Sequence, residues 1–442
     1  MDRPEIDLPS RLLLNLKPWR NAAHWHIAFS GGLDSTVLLH LLGRLATTES
    51  LPPLSAIHIH HGLQVAADAW PGHCQSVCDA LGIKLRVERV TVQPGASLER
   101  AARDARYAVF SSMTKAGEVL LTAQHRDDQA ETLLFRLLRG AGVRGLSGMP
   151  RQRPLGSGWL LRPLLDASRA ELEAYAAQHR LSWIEDPSNQ NRQFSRNYLR
   201  HQVFPVLKAR WPQAITTMAR SAAHLSEARE LLDELAQIDL ANAGAASEFD
   251  WLDLPSLQLA PLQKLSAARQ RNALSHWLEP LTALPESDHW SGWSDLLEAA
   301  IDARPIWRLA SGELHRASGR IWWLSGRWLQ ALPAAEHWPD PSRALTLPGN
   351  GVLRLTGQIP AGPLQIRYRE GGEVMSLPGR GHRDLKRLLN ESGVPLFVRG
   401  RLPLLFRDGQ LLAVANLAGL DGRASGDWRL HWQPSGEDQG LS

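Results

Sequence analysis

His26-Ile27-Ala28-Phe29-Ser30-Gly31-Gly32-Leu33-Asp34-Ser35 carries an apolar run into two glycines and on, through Thr36-Val37-Leu38-Leu39, into an apolar pattern that reaches Leu45. The run before the glycines reads as a strand over 26–29, and the periodicity after them as a helix over 35–45. At such a junction the backbone amides and the positive end of the helix can hold phosphate oxygens, and the glycines let the backbone come close. The Gly-Lys-Ser/Thr ending of a Walker A loop is missing, and so is the Gly-x-Gly-x-x-Gly of dinucleotide folds. A different nucleotide loop is required, with Ser30, Gly31, Gly32, Leu33, Asp34 and Ser35 as its candidate ligands. Asp34 sharpens this reading. A carboxylate beside a polyphosphate is repelled unless a divalent cation lies between them, so Asp34 is a candidate Mg²⁺ contact. The plainer alternative is a glycine turn whose serines only cap the helix.

Outward from this stretch the chain alternates strands and helices. Strands are expected at 56–60, 85–92 and 119–123, and helices near 66–81, 97–115 and 128–139. Such alternation implies an α/β fold with a parallel sheet covered by helices, and ligands at the carboxyl ends of its strands. Ser168 stands three residues before Glu171, a capping box opening a helix to about His179. A long helical stretch spans 214–240, and the small-residue segment 241–246 reads as a linker or loop. Nine of the 17 tryptophans fall between Trp251 and Trp338, on mostly helical and then strand-like sequence, and many are expected in a core. Leu345 to Trp432, rich in Gly, Pro and short apolar runs, reads as a small β-rich or α+β domain. The expected domains are 1–212, 213–340 and 341–442.

Composition sets the bounds. At 442 residues the chain is too long for one core. It has no run of about 18 apolar residues to span a bilayer, and its start does not read as a secretory signal. With only two cysteines, Cys74 and Cys78, it points to a reducing, cytoplasmic setting and no membrane partner. A pI near 9.3 suits a phosphate-rich partner but does not select one. The Cys-x-x-x-Cys spacing, even with His58, His60, His61 and His73 nearby, fits a buried helical face better than zinc, and no zinc is expected.

A second constellation, Ala123-Gln124-His125-Arg126-Asp127-Asp128-Gln129-Ala130-Glu131-Thr132, sits where a strand gives way to a helix. Asp127 and Glu131 are four apart and share a helix face, so both carboxylates and His125 can address one pocket. Taken alone, acids in a first helical turn are common for dipole reasons.

Taken together, the motifs carry a resemblance. Ser-Gly-Gly-x-Asp-Ser resembles the signature of the N-type ATP pyrophosphatases, which cleave ATP between the α and β phosphates and transfer AMP to an oxygen. The second constellation is similar to the Ala-His-His-x-Asp-Asp-Gln-x-Glu-Thr motif of the tRNA(Ile)-lysidine synthetases, and Arg139-Gly140 follows at the family's distance. Gln124 departs from the pattern by replacing the first histidine, which leaves His125 as the candidate imidazole. Further matching blocks are His60-His61-Gly62-Leu63; Glu99, Arg103, Arg106 and Tyr107; Arg162-Pro163-Leu164-Leu165; Trp183; Asp186-Pro187-Ser188-Asn189; and Arg196-Asn197-Tyr198-Leu199-Arg200. Toward the end come Arg369 to Glu373, Lys386 to Leu389, Val394-Pro395, Arg399 and Leu402-Pro403-Leu404. Residues 361–410 hold nine Arg and Lys against five Asp and Glu, a balance suited to a phosphate backbone.

The resemblance spans about Ser30 to Leu420 and is weakest in the tryptophan-rich middle. It implies an ATP-pyrophosphatase domain followed by two tRNA-binding domains, the first mainly helical. It implies that ATP adenylates the wobble cytidine in the CAU anticodon of tRNA(Ile), after which free L-lysine attacks C2 and expels AMP. Asp34 and Glu131 are then the Mg²⁺ candidates, and Arg103 and Arg196 the added nucleotide contacts. Asp34, His125, Asp127 and Glu131 become the catalytic candidates, with Asp127, Asp128 and Glu131 also available to the lysine ammonium. A related tRNA thiolase would need reactive cysteines, and a glutamine-dependent synthetase an amidotransferase domain. A noncatalytic RNA-binding protein would have no use for an intact loop. Oligomeric state stays open, a homodimer included.

Overall fold

Trp25 and Ile27 are fully buried in β1 (His24–Ala28) and alternate with half-buried neighbours, so both faces of the strand are covered. Parallel partners flank it on both sides. Ile27 lies opposite Ala56 of β2 (Leu54–His60) and opposite Leu121 of β4 (Glu118–Leu121). Beyond these lie β3 (Lys84–Arg89), β6 (Gly158–Leu161) and an antiparallel edge strand, β5 (Gln152–Leu155), giving the order β3-β2-β1-β4-β6-β5. The computed structural model describes residues 7–62, 65–92, 98–244, 247–285, 287–300, 303–332, 336–423 and 426–435. Leu63 and the side chain of Glu99 lie outside them.

The α/β expectation holds. On one face, α1 (Leu8–Leu16), α2 (Leu33–Leu45), α3 (Trp70–Ala80) and α7 (Arg169–Gln178) bury Leu12, Leu38, Cys74, Cys78 and Leu172 against Trp25, Ile27 and Phe29. On the other, α4 (Leu98–Met113) sets Phe110 on Ile57, Ile59 and Leu120. The capping box at Ser168 is formed: its hydroxyl accepts from the Glu171 amide while Glu171 accepts from the Ser168 amide at 2.7 Å. Helix α2 starts two residues before the sequence expectation, because Gly32 is its extended N-cap. The other α-helices up to residue 243 are α5 (Arg126–Leu137), α6 (Val143–Leu146), α8 (Ser195–Tyr198), α9 (Phe204–Arg210) and α10 (Ala214–Ala243).

Two compact units divide the chain, 1–230 and 231–442, the division falling inside α10. The second contains helices Ala267–Leu278 and Ser291–Glu298 and a four-stranded antiparallel sheet of Ser256–Gln258, Arg320–Ser325, Gly312–Ala317 and Ile306–Leu309. As expected, many tryptophans are core residues here: Trp293, Trp307, Trp322, Trp323, Trp328 and Trp338 are buried. The segment from 345 onward is β-rich, contributing to a six-stranded and a three-stranded sheet with two short helices. Lys386 and Arg387 are exposed there, as are Arg380 and Arg383, whereas Arg401 is buried and donates to the Gln330 carbonyl. Among the described residues no helix is long and apolar enough to cross a membrane.

Candidate active site

The strand order reverses direction at β1, whose two neighbours lead to opposite edges of the sheet, and such a switch leaves a crevice beyond the carboxyl ends of the strands. The loop after β1 and the helix after β4 therefore open side by side. A cavity of about 720 Å³ lies there.

The first wall is the Ser30–Ser35 loop. Gly31 turns at φ +83°, and a Cβ on it would come within 2.6 Å of Ile184 and 3.0 Å of the Cys74 sulfur. Ser30 and Ser35 hydroxyls meet at 3.0 Å, and Ser35 donates to the Gly32 carbonyl at 3.0 Å. Leu33, Asp34 and Ser35 line the cavity from the first turn of α2, where a helix leaves its amides without internal partners.

The second wall is α5. His125 is its N-cap, 1% exposed, and Asp128 accepts from the His125 amide at 3.0 Å. Its imidazole stands among three carboxylates, with Nε2 3.6 Å from Asp34 and 3.5 Å from Asp128, and Nδ1 3.9 Å from Asp127. Burial opposes charge on the ring, but Asp34, Asp128 and Asp127 outweigh it and hold the His125 pKa above its ordinary value. Burial likewise opposes charge on Asp34, yet His125, Arg169 and Arg200 pull that carboxyl below the usual range. Imidazole and carboxylate thus each favour the other's charged form.

Arg200, which sequence reasoning passed over in favour of Arg196, completes the wall. Its Nε donates to Glu131 at 2.6 Å, and its Nη2 to Glu131 at 2.9 Å and to Asp128 at 3.2 Å. A π-helical segment, Leu199–Val203, contains it, and that local widening is a frequent mark of functional sites. The Arg196/Arg200 spacing of four was the available signal, since it puts both on one helix face. Two further cations were also missed. The Arg169 amide donates to Asp127 at 3.0 Å while its guanidinium lies 3.7 Å from Asp34, and the Lys208 amine is 4.0 Å from Asp127.

The predicted residues therefore divide into two groups. Ser30, Gly32, Leu33, Asp34, Ser35, Asp127 and Glu131 line the cavity, Gly31 supports the loop from behind, and His125 is buried between the walls. Arg103 is exposed over the Tyr107 ring, and Arg196 donates to Thr132 at 3.4 Å; neither lines the cavity. Gln124, where the family motif has histidine, lines it. Cys74 and Cys78 share a buried face of α3, as expected from their spacing, and burial pushes both thiols up to about 12. They are poor nucleophiles there, which argues against sulfur delivery.

A cation fits Asp34. Its Oδ1 is buried without a hydrogen-bond partner, whereas both Glu131 oxygens are bound by Arg200. Among the described residues no three His, Cys, Asp or Glu side chains group to hold a metal by themselves. A Mg²⁺ on Asp34 would share its coordination with phosphate oxygens and water, as that ion ordinarily does.

Comparison with known proteins agrees with this geometry. A PP-loop domain model matches residues 7–207, a TilS substrate binding domain 257–322, and a TilS substrate C-terminal domain 364–432. Over 441 residues, all of both chains, this sequence is 72% identical to a tRNA(Ile)-lysidine synthase of Pseudomonas fluorescens (strain Pf0-1). The chain belongs to the tRNA(Ile)-lysidine synthase family. Other members are 64% identical (Pseudomonas aeruginosa, 99% of this chain and 100% of that one) and 38% identical (Coxiella burnetii, 96% and 97%). As a tRNA(Ile)-lysidine synthase family member, it carries a PP-loop domain over residues 7–207, and β1, the loop after it and Asp34 lie within that match.

Proposed function

We propose that this chain is a cytoplasmic ligase forming a carbon–nitrogen bond between the ε-amino group of free L-lysine and C2 of the wobble cytidine in the CAU anticodon of tRNA(Ile). In the first step the cytosine O2 bonds to the α-phosphorus of ATP and diphosphate leaves. In the second, the lysine nitrogen bonds to C2, the C2–O2 bond breaks, and AMP departs with that oxygen. The amine's proton passes to solvent or to a carboxylate at the site. The product, lysidine, pairs as a uridine would and moves codon reading from AUG to AUA.

The observation that carries this reading is the convergence of Asp34 and His125 across the β1/β4 switch, in a cavity that holds both a phosphate loop and a set of acids. In this reading the amides of Leu33 to Ser35 bind the polyphosphate, and Ser30, Gly31 and Gly32 shape the loop. Asp34 would hold Mg²⁺, which when bound would supply charge neutralisation at the phosphates. Imidazolium His125 holds Asp34 in place. Arg200, anchored by Glu131, faces charge developing on the leaving groups. Glu131 can join the metal only when Arg200 turns away. Asp127 and Asp128 receive the lysine ammonium, and Arg103 and Arg196 hold phosphate beside the cavity rather than within it. Residues 1–212 then form the catalytic part, with 213–340 and 341–442 gripping tRNA. Unstacking the target base costs a few kcal/mol, less in a loop than in a duplex.

The test incubates the protein with ATP, Mg²⁺, labelled lysine and unmodified CAU-anticodon isoleucine tRNA, beside Asp34→Ala. Stable label on the RNA in the wild type alone supports the proposal. RNA-dependent AMP release without label would retain base adenylation and remove lysine as the nucleophile.

A further inference from the structure

We infer that a cluster of six arginines at the rim of the cavity, four of them around Tyr107, is a second anion site that takes the phosphodiester backbone of the RNA flanking the target base. This rests on the function proposed above and adds to it where the RNA chain runs. The cluster draws on five elements or their ends: Arg103 and Arg106 one turn apart on α4, Arg136 on α5, Arg153 in β5, Arg162 just past β6, and Arg196 on α8.

Arg103, Arg153 and Arg106 place their guanidinium carbons 4.8, 5.0 and 6.0 Å from the Tyr107 ring centre. Two of the six are pinned from within. Arg136 donates to the carbonyls of Gly145 and Gly148 at 2.7 and 2.9 Å, and Arg162, 3% exposed, donates to Pro150 at 2.7 Å while its Nε is buried without a partner. Among the described residues none of the six meets a carboxylate within ion-pair distance. Burial is the main cause that pushes Arg106, Arg136 and Arg162 below the ordinary guanidinium value; the Tyr107 hydroxyl opposes it at Arg106 and Arg162, and the neighbouring arginines add to it at all three. Like charges gathered without counter-charge repel, and a polyanion relieves that repulsion.

Three observations select RNA phosphate over the alternatives. Guanidinium groups of Arg103, Arg106 and Arg153 already stand over the Tyr107 ring, so a base stacking there would compete with them. Arg106 and Tyr107 line the cavity, whereas exposed Arg103 and half-buried Arg153 do not, so an anion they hold lies outside it. ATP phosphates already have the loop amides inside. A base turned into the cavity leaves its own sugar-phosphate at the rim, where these arginines stand.

The experiment uses the full chain and the double variant Arg103→Ala/Arg153→Ala, with Arg103→Lys/Arg153→Lys as the charge-retaining control. Binding of unmodified isoleucine tRNA is titrated over a range of KCl concentrations, and ATP binding is measured separately without RNA. Two lost phosphate contacts on a single-stranded loop lower the slope of log K against log[KCl] by about 1.4. Expected with that are tRNA binding roughly tenfold weaker in the alanine variant, substantial recovery with lysine, and unchanged ATP affinity. Weakened ATP binding with an unchanged salt slope would give the cluster to the nucleotide instead. No change in either would make it structural, and both overturn the inference. A changed slope in a protein that makes no lysidine would keep the RNA path and sink the reaction, so the two failures are distinguishable.

Discussion

At the level of single residues, the site turns on mutual ionisation. Asp34→Ala removes the only unpartnered buried carboxylate oxygen of the loop. RNA-dependent AMP release should fall by roughly 10²–10³-fold. The His125 pKa is raised above its unfolded value of about 6.5, so the stability its charge contributes is complete below pH 6.5 and is lost as pH rises through the raised value. Melting curves should therefore show wild type losing stability relative to His125→Gln as pH rises above 6.5; parallel profiles would contradict that. Asp34, His125, Asp127 and Glu131 were legible from sequence because motif chemistry names residue types. Arg200's hold on Glu131 was not, because a π-helical segment shifts which side chain faces the acids, and helix periodicity at Arg196 and Arg200 favours neither.

Elements decide whether those residues meet. Gly31→Ala would place a Cβ at φ +83° against Ile184 and Cys74, and a left-handed non-glycine residue alone costs about 1–2 kcal/mol. ATP binding by calorimetry should weaken at least about tenfold while the rest of the sheet stays folded. Ser168→Ala removes the α7 cap and should cost about 1 kcal/mol, or roughly 2–4 °C in melting temperature for a unit of this size. Because the Arg169 amide binds Asp127, the same change should raise the KM for lysine more than that for ATP. The cap and the βα alternation could be read locally, since each depends on residues within a few positions. The approach of Asp34 to His125 could not: it depends on β1 pairing with β4, a choice of neighbour made across ninety residues.

Over the whole molecule, two compact units with separate cores imply two thermal transitions. Saturating ATP and Mg²⁺ should move only the transition of residues 1–230, by about 2.7 kcal/mol at one hundred times the dissociation constant. Eleven of the 17 tryptophans belong to 231–442, so the larger fluorescence change should accompany the other transition and stay where it is. A single transition shifted as one would contradict independent cores. The β-rich character of the last hundred residues was legible from Gly, Pro and short apolar runs. The pairing of its strands was not, because neighbours such as Gly351–Gly357 and Trp428–Gln433 lie far apart in sequence.

Backbone hydrogen bonding between β1 and β4, with Ile27 beside Leu121, works as a measuring device for the chemistry beyond it. In the function proposed above, each strand delivers one half of a reaction that needs two arms: the first grips the activating nucleotide, the second steadies the incoming amine. A strand advances about 3.3 Å per residue, so adding or deleting one residue on either side would displace an entire arm by more than the length of a chemical bond and turn its side chains to the opposite face. Fine adjustment by sliding is therefore closed to this enzyme. New amine or nucleotide preferences have to be acquired by exchanging side chains at the loop tips, with the spacing between the arms left untouched.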